Sequence, residues 1–285
     1  MQGTVVKFGG SSVATTALIS KVADNIIRRK AEAGHVVAVV SAMGKTTNNL
    51  IALSRELTDK PPKRETDMLL ATGEQVSASL LCMALVAKGC PAISMTGWQA
   101  GSVTEDSHTN SRIRSVDTER IVRALEDGLV VVVTGFQGVT MGGEITTLGR
   151  GGSDTTAVAL AAVLNWPCEI YTDVEGIYTV DPRLYPAAGK IDAISYEETF
   201  ELSCLGAKVI EPRSVEMAAK HGVDLRILLN TMDRPGTKII AGEAIMEENI
   251  INKVSVLDNV LLVTASGGGK SGLSGLFTKL ADEKV

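Results

Sequence analysis

The chain contains 285 residues, of which 45% are hydrophobic and 21% are charged, as in an ordinary globular protein. This length suits one large domain or about one and a half. A net charge of -5 from 28 basic and 33 acidic residues, with few aromatic residues, argues against nucleic acid or an anionic membrane as the main partner. We find no apolar run of the roughly 18 to 20 residues that a membrane span needs, and no signal peptide before the first glycine loop.

Cysteine usage gives an expectation about the cellular compartment. The four cysteines are scattered and no two of them have metal-ligand spacing. They indicate reduced, packed thiols in a cytoplasmic protein. These residues are Cys82, Cys90, Cys168 and Cys204.

The N-terminal segment has the pattern of a strand, a glycine turn and a helix. Residues 4–8 are rich in β-formers, a Gly-Gly-Ser-Ser turn occupies residues 9–12, and apolar residues then recur at helical spacing through residues 13–33. Lys7 stands at the carboxyl end of the strand, where open α/β sheets bind ligands. Because the lysine precedes the glycines, the motif is not a P-loop. Lys7 is therefore either a ligand-binding residue or an exposed lysine at a strand end.

The next strands end in the same way. Residues 35–40 form a continuous apolar run of the kind buried on both faces, and the small polar turn at residues 41–50 opens a helix. A third strand over residues 91–95 leaves through a glycine-bearing turn at residues 96–101. Strands that end in glycine-bearing polar turns predict a ligand site at one edge of the sheet.

The segments between these strands contain two candidate polar residues. Residues 66–88 are apolar at helical spacing and include Glu74, which either faces solvent or serves a site. His108 has no second histidine or cysteine at ligand spacing and is expected in a solvated loop. We predict a helix over residues 113–127 and a strand over residues 129–134.

A loop with both signs of charge follows a hairpin turn at residues 141–144. Residues 146–156 combine three glycines with Arg150 and Asp154 and lead into an alanine-rich helix, of which Ser153 or Asp154 is the predicted N-cap. The N-terminus of a helix favours an anion, and the arginine fork suits a carboxylate or a phosphate. From these residues alone, both ligands remain open.

The last part of the main domain suits a nucleotide. A strand over residues 168–172 breaks into a turn that is rich in aspartate and tyrosine and continues to Arg183. Such residues can hold a base, a ribose and phosphates, although a surface turn with an Asp-Pro bend is the alternative. Further helices are predicted over residues 195–208 and 212–220, and further strands over residues 225–229 and 236–240.

Alternating strands and helices predict a three-layer α/β/α sandwich with its site at the carboxyl ends of the strands. The pattern changes from about residue 250, where a β-hairpin over residues 254–264 and a short helix over residues 273–280 are too little for a core of their own. We therefore predict a main domain over residues 1–245. A short β-β-α extension over residues 250–285 would pack on it, pair with another subunit or stay partly disordered.

Many motifs in a consistent order resemble the aspartokinases of the amino-acid kinase family. The resemblance implies the carbamate kinase-like fold of that family. It also implies transfer of the γ-phosphoryl group of ATP, with Mg²⁺, to the β-carboxylate of L-aspartate, the first step towards lysine, threonine and methionine. The motifs cover about residues 4–240 and are Lys7-Phe8-Gly9-Gly10-Ser11-Ser12-Val13, Ser41-Ala42-Met43-Gly44, Gly73-Glu74-Gln75, Thr96-Gly97-Trp98-Gln99-Ala100, Gly135-Phe136-Gln137-Gly138, Thr147-Leu148-Gly149-Arg150-Gly151-Gly152-Ser153-Asp154-Thr155-Thr156 and Tyr171-Thr172-Asp173-Val174.

The resemblance implies roles for the residues that match these motifs. Lys7 and Asp154 would be catalytic, with Asp154 contacting the substrate amine or ordering the phosphate-lysine network. Since other residues serve the phosphates, Arg150 is better assigned to a carboxylate of aspartate. No side chain is assigned to a metal. Substrate contacts would come from Ser41, Thr47, Glu74, Arg150 and Ser153, and nucleotide contacts from Lys7, Gly9, Gly10, Ser11, Thr172, Asp173, Tyr178, Arg183 and Lys208.

The chain departs from the aspartokinase pattern in three places. Glu211-Pro212-Arg213 stands where aspartokinases have His-Pro-Arg, and residues 227–230 are more apolar than the usual Arg-Ser-Ser-rich segment. Residues 250–285 resemble only the first β-β-α portion of an ACT regulatory module, so we expect lysine and threonine to inhibit weakly or not at all. We expect a homodimer. A kinase for another acidic amino acid and a non-catalytic homologue remain as alternatives.

Overall fold

The computed structural model describes residues 2–207, 209–230 and 235–242, together with Val254 and Gly275. The chain divides into two compact units, Met1–Ser255 and Val256–Val285, and the elements below belong to the first. Apart from Val254 and Gly275, the hairpin expected over residues 254–264 and the helix expected over residues 273–280 lie outside the described residues. The division into a main domain and an extension stays a prediction.

An eight-stranded sheet forms the centre of the first unit. Its six parallel strands are β1 (Gly3–Phe8), β2 (His35–Val40), β3 (Ala92–Met95), β6 (Val130–Thr134), β9 (Cys168–Thr172) and β11 (Leu225–Leu229). They lie side by side in the order β11, β9, β1, β2, β6, β3. Two short strands, β12 (Thr237–Ile240) and β10 (Ala193–Ser195), extend the sheet beyond β11 and run in the opposite direction.

Helices cover both faces of this sheet. Val6 of β1 belongs to a buried cluster with α1 (Thr16–Ala33) and α4 (Thr72–Ala87), whereas Val5 belongs to a second cluster with α5 (Glu119–Glu126), α6 (Gly152–Leu164) and α8 (Pro212–His221). Successive residues of a strand point to opposite faces, so these clusters are the two interfaces of a sandwich. The predicted three-layer α/β/α architecture is confirmed. The remaining helices are α2 (Thr46–Leu57), α3 (Lys63–Leu70) and α7 (Tyr196–Cys204).

Burial on both faces explains the continuous apolar runs in the sequence. The four valines from Val130 to Val133 are all fully buried, alternating between the two clusters. Each such side chain contributes about 2 kcal/mol of apolar burial. A polar residue at any of these positions would therefore destabilise the sheet at its centre.

A second, four-stranded sheet lies outside the main one. It consists of β4 (Ser102–Thr104), β5 (Ile113–Val116), β7 (Gln137–Thr140) and β8 (Ile145–Thr147), in the order β5, β4, β7, β8. β7 and β8 pair antiparallel, which confirms the hairpin turn predicted at residues 141–144. β8 leads directly into the charged glycine loop.

Three sequence predictions about packing were wrong. Residues 113–116 form β5 instead of the first turn of a helix, because Val116 pairs with Ser102 on a neighbouring strand and such pairing overrides local helix preference. The helix predicted over residues 66–88 is two helices, α3 and α4, that meet at Ala71. The four cysteines are free, but Cys204 is exposed, because it lies in the last turn of α7 and not in the core.

The pair of helices α3 and α4 includes a long apolar stretch. Residues Lys63–Ala87 are long and apolar enough, by length and composition, to cross a membrane, which the sequence analysis did not anticipate. α4 packs against α1, and Leu81 and Leu85 are fully buried there. The core helix of a soluble protein passes the same test, so the stretch is weak support for a membrane span.

Candidate active site

Many of the predicted site residues lie in turns at the carboxyl edge of the parallel sheet. Backbone hydrogen bonds join adjacent strands there, just past their carboxyl ends. The amide of Ser41 donates to Phe8 (3.1 Å), that of Gly135 to Val40 (3.0 Å) and that of Asn230 to Thr172 (2.9 Å). This placement confirms the expectation that the polar turns after the strands meet at one edge.

The glycine turn after β1 brings bare backbone close to its neighbours. The amide of Gly9 donates to the carbonyl of Tyr171 (3.4 Å), and the amide of Gly44 donates to the carbonyl of Gly10 (3.0 Å). A β-carbon built on Gly10 would lie 2.8 Å from the carbonyl oxygen of Ala42, so no side chain fits there. Ser11, the next residue, is exposed. A turn with no side chain over its backbone leaves room for an anion to approach.

Lys7 and Asp154 form a buried ion pair in the middle of this edge. Lys7 Nζ lies 2.6 Å from Asp154 Oδ1, and the two residues are only 8% and 7% exposed. The alternative of an exposed strand-end lysine is therefore wrong. Asp154 Oδ1 is buried and accepts no hydrogen bond of good geometry among the described residues, so its contact with Lys7 is an ion pair. Removal of either charge would leave the other buried without its partner.

The charged glycine loop leads into the helix that contains Asp154, and this helix starts earlier than predicted. α6 begins at Gly152, and the N-cap is Gly151 with a φ of 65°, so neither Ser153 nor Asp154 is the cap. Both side chains have other partners. Ser153 Oγ lies 2.7 Å from Ser41 Oγ, and Asp154 pairs with Lys7. A β-carbon on Gly135 would lie 2.6 Å from Ser153 Cβ, which accounts for glycine after β6.

Glu74 is buried beside the turn after β2, so its solvent-facing alternative is wrong. It is 3% exposed, and its Oε1 accepts a hydrogen bond from the amide of Ala42 (3.0 Å). The other oxygen, Oε2, is buried without a hydrogen-bond partner among the described residues. Burial raises the pKa of Glu74 from 4.5 to about 7. A buried carboxylate with one free oxygen is suited to a cationic group of a ligand.

Arg150 and Thr47, the other predicted substrate residues, are less buried than Glu74. Thr47 is half-buried in the first turn of α2. Arg150 is exposed in the loop before α6 and is close enough to Glu211 to favour the charged form of that carboxyl. The arginine is thus available to a ligand that reaches the loop from solvent.

Glu211, the departure from the His-Pro-Arg pattern, also lies against this loop. It is the N-cap residue of α8, and a β-carbon on Gly151 would lie 2.7 Å from its Oε2. Burial, followed by the charge of Asp154, raises the pKa of Glu211. Glu211 therefore adds negative charge next to Asp154. Lys208, which was predicted to bind the nucleotide nearby, lies outside the described residues.

The predicted nucleotide residues at and after the end of β9 form hydrogen bonds with residues of the same segment. Thr172 Oγ1 donates to Asp173 Oδ1 (3.1 Å), and the Tyr178 hydroxyl donates to Glu175 (3.4 Å). Arg183 forms a fork with Asp181, with Nε 3.0 Å from Oδ1 and Nη2 2.6 Å from Oδ2. Asp181, and more weakly Asp173, raises the pKa of Arg183. The guanidinium is thus held beside the turn by a carboxylate.

Sequence reasoning missed three polar residues that brace the site. Asp67 is fully buried and accepts hydrogen bonds from the segment around His108, which is itself paired instead of solvated as expected. Arg213 donates to the carbonyl of Leu148 (2.9 Å) at the start of the charged loop. Asn230 donates to Ser12 Oγ (2.8 Å) in the first glycine turn. The sequence contains one indication that Asp67 is buried, because this carboxylate lies in an apolar run with helical spacing.

Comparison with known proteins assigns the family. The amino acid kinase family model matches residues 2–228. The chain is 50% identical over 285 residues to the aspartokinase of Bacillus sp. (strain MGA3), covering 99% of this chain and 69% of that one. The chain belongs to the aspartokinase group of the amino acid kinase family. A second member of this group, aspartokinase 2 of Bacillus subtilis (strain 168), is also 50% identical, and 70% of its length is covered.

Solved aspartokinase structures have the same fold. The aspartate kinase from Synechocystis matches with a TM-score of 0.74 and 48% identity, covering 84% of this chain and 40% of that one. E. coli aspartokinase III in complex with aspartate and ADP matches with a TM-score of 0.77 and 25% identity, covering 99% of this chain and 75% of that one. This aspartokinase-group chain thus spans about 70% of its Bacillus relatives and less than half of the Synechocystis chain.

Proposed function

We propose that the chain transfers the γ-phosphoryl group of ATP to the β-carboxylate of L-aspartate and forms 4-phospho-L-aspartate. This is the first step towards lysine, threonine and methionine. Membership of the aspartokinase group supports the reaction, as does the fold shared with a relative that was solved with aspartate and ADP. The observation that carries the proposal is the buried Lys7–Asp154 pair beside Glu74, with its unpartnered oxygen, at one sheet edge.

An amino acid with two carboxylates fits the acceptor half of the site. The ammonium group would bind Glu74, whose Oε2 lacks a partner among the described residues. Arg150 would bind one carboxylate in the fork geometry that guanidinium groups favour. Ser41 and Ser153, whose hydroxyls are 2.7 Å apart, would add hydrogen bonds, with Thr47 at the opening. This arrangement selects an acidic amino acid over a simple dicarboxylate.

The chemistry requires positive charge and positioning more than a base. A carboxylate oxygen is already deprotonated at pH 7, so its attack on phosphorus needs no proton removal. Two anions must instead be held together, which favours Lys7 and the N-terminal end of α6 near the transferred group. Asp154 would keep Lys7 in place through its 2.6 Å contact.

The donor half of the site would be the two turns after β1 and β9. The backbone of Gly9, Gly10 and Ser11 would hold phosphate oxygens. The nucleotide would also contact Thr172, the last residue of β9, and three residues that follow it, namely Asp173, Tyr178 and Arg183. The described residues contain no cluster of three or more metal-ligating side chains. Mg²⁺ is usually held largely by water and substrate phosphates, and it would supply positive charge on the phosphates of ATP.

We also propose a cytoplasmic homodimer. The four free cysteines suit a reducing compartment. Closed two-fold symmetry is the commonest arrangement of soluble oligomers. Light scattering coupled to size exclusion measures the assembly directly, and a mass near the 30.0 kDa of a single chain would contradict it.

The activity can be tested with a panel of acidic amino acids. The 285-residue chain is incubated with ATP, Mg²⁺ and each acid, and release of ADP is measured. Aspartate-dependent release supports the proposal, whereas release with glutamate or another acid indicates a specialised kinase. If no acid causes release of ADP although ATP binds measurably, the chain is a non-catalytic homologue. Arg150→Ala should lower kcat/KM for aspartate by at least about a hundredfold, since it removes a charged, bidentate contact. Activity within a few fold would refute the placement of the substrate.

A further inference from the structure

Asp67 of α3 is a fully buried carboxylate whose two oxygens are both engaged. Oδ1 accepts from the hydroxyl of Thr147 (2.6 Å), and Oδ2 accepts from the amide of Thr109 (2.9 Å), which also lies 3.1 Å from Oδ1. His108 Nδ1 is 2.8 Å from Oδ2. A carboxylate is costly to bury unless hydrogen bonds replace its water, and here three neighbouring residues provide them.

These bonds join the segments that carry Glu74 and Arg150. On one side, α3 continues through Ala71 into α4, whose first turn contains Glu74. On the other side, Thr147 is the last residue of β8 and is followed by the loop that contains Arg150. Asp67 thus links the two segments that contain the residues we assign to opposite ends of the amino-acid substrate.

The segment around Thr109 makes further contacts with the same loop. Asn110 Oδ1 would lie 2.7 Å from a β-carbon on Gly149, and it accepts a hydrogen bond from Arg213 (2.8 Å). The amide of Ser111 donates to the carbonyl of Thr147 (2.9 Å). Residues 108–111, which we call the bracing segment, therefore lie between Asp67 and the charged loop.

A second buried contact fixes the junction of the two helices. Gln137 of β7 is fully buried and its Nε2 donates to the carbonyl of Ala71 (2.8 Å). The start of α4 is therefore attached to β7, just as α3 is attached to β8. The four-stranded sheet provides a common support for both halves of the acceptor site.

We propose that Asp67 is a positioning residue that fixes the spacing between Glu74 and the Arg150 loop. The proposal rests on the proposed function, because it takes these residues as the sites for the ammonium group and a carboxylate of the substrate. Asp67 does not contact the substrate in this account. Loss of its bonds would let the loop move relative to α4, and displacements of about 1 Å at an active site can lower rates about a hundredfold.

The test removes one bond of Asp67 and leaves the shape unchanged. Thr147→Val deletes the hydroxyl that Asp67 accepts from, whereas Thr147→Ser keeps it and serves as the matched control. For Thr147→Val we expect the KM for aspartate to rise at least tenfold, with the KM for ATP within twofold of the wild type. Thr147→Ser should restore the KM for aspartate to within about threefold. Asp67→Asn should raise the KM for aspartate more than Thr147→Val does.

Amide hydrogen exchange gives a second readout that needs no turnover. Amides of residues 148–154 and of the bracing segment should exchange faster in Thr147→Val than in the wild type or Thr147→Ser, whereas those of residues 9–12 should not change. Unchanged exchange in the loop would overturn the inference. So would equal increases in the KM for aspartate and ATP, which would indicate a general structural role.

The two proposals can fail separately. If the wild type shows no aspartate-dependent turnover, the proposed function fails, and the exchange measurement still decides whether Asp67 positions the loop. If the wild type is active and Thr147→Val has an unchanged KM for aspartate, the positioning role is wrong and the function stands. If Asp67→Asn does not fold, the two Thr147 variants alone give the answer.

Discussion

Replacement of Glu74 with glutamine should make the substrate-free protein more stable at pH 8. Burial raises the pKa of Glu74 from 4.5 to about 7, so the folded protein binds this proton more tightly than the unfolded chain does. Below about pH 4.5, Glu74 therefore makes its full contribution to the free energy of unfolding of the wild type. This contribution is lost as the pH rises to about 7. At about 1.4 kcal/mol for each pH unit, the loss is at most about 3 kcal/mol.

Glutamine has nearly the shape of the protonated acid and no charge to bury. Its Oε1 can still accept from the amide of Ala42, as the carboxylate does. The variant should thus exceed the wild type by up to about 3 kcal/mol in free energy of unfolding at pH 8. The difference should fall towards zero at pH 5, where the wild type is protonated as well.

Urea unfolding of both proteins at several pH values, without substrate, measures this difference. Glu126→Gln, at an exposed position in the last turn of α5, is the matched control and should show no pH-dependent gain. Aspartate should stabilise the wild type at pH 8 but not Glu74→Gln, because an amide offers the ammonium group no charge. If Glu74→Gln is no more stable than the wild type at pH 8, or if its gain in free energy of unfolding is equally large at pH 5, then Glu74 is not a desolvated carboxylate.

Three further variants test the rest of the site. Lys7→Met should abolish turnover and lower the free energy of unfolding, measured in urea, by about 3 to 5 kcal/mol, since Asp154 is left buried without its cation. The double variant with Asp154→Asn should regain stability but not activity. Gly10→Ala should raise the KM for ATP at least tenfold, because its β-carbon would lie 2.8 Å from a backbone oxygen, whereas Gly189→Ala, where the β-carbon meets nothing within 4 Å, should not. Glu211→Gln should raise kcat/KM for aspartate about two- to fivefold, the range for one partly exposed charge; an unchanged or lower value would mean that its charge does not oppose binding.

The sequence predicted the sheet and its site edge well because both depend on local patterns. Runs such as Val130–Val133 have no polar face, so only strands covered on both sides can accommodate them. Glycine turns at the ends of these strands mark close approaches of backbone, as at Gly10. Both signals lie within a few neighbouring residues and need no knowledge of the partner.

The features that the sequence did not reveal depend on contacts between distant segments. Apolar side chains occur on nearly every face of α4, so helical spacing alone could not decide whether Glu74 is buried. The pairing of Asp67 with His108 and Thr147 joins three separate elements. Ser153 and Asp154 looked like N-caps because their side chains suit that position, but Ser41 and Lys7 engage them instead.

The most direct test of the account is to trap the product and identify it. The chain, ATP, Mg²⁺ and L-aspartate are incubated with hydroxylamine, which converts an acyl phosphate into a hydroxamate, and the hydroxamate is identified by mass spectrometry and NMR. We predict an ATP-dependent β-hydroxamate of aspartate, with a yield at least about a hundredfold lower in Arg150→Ala. An α-hydroxamate, a larger yield with another acidic amino acid, or no hydroxamate from protein that binds ATP would contradict it.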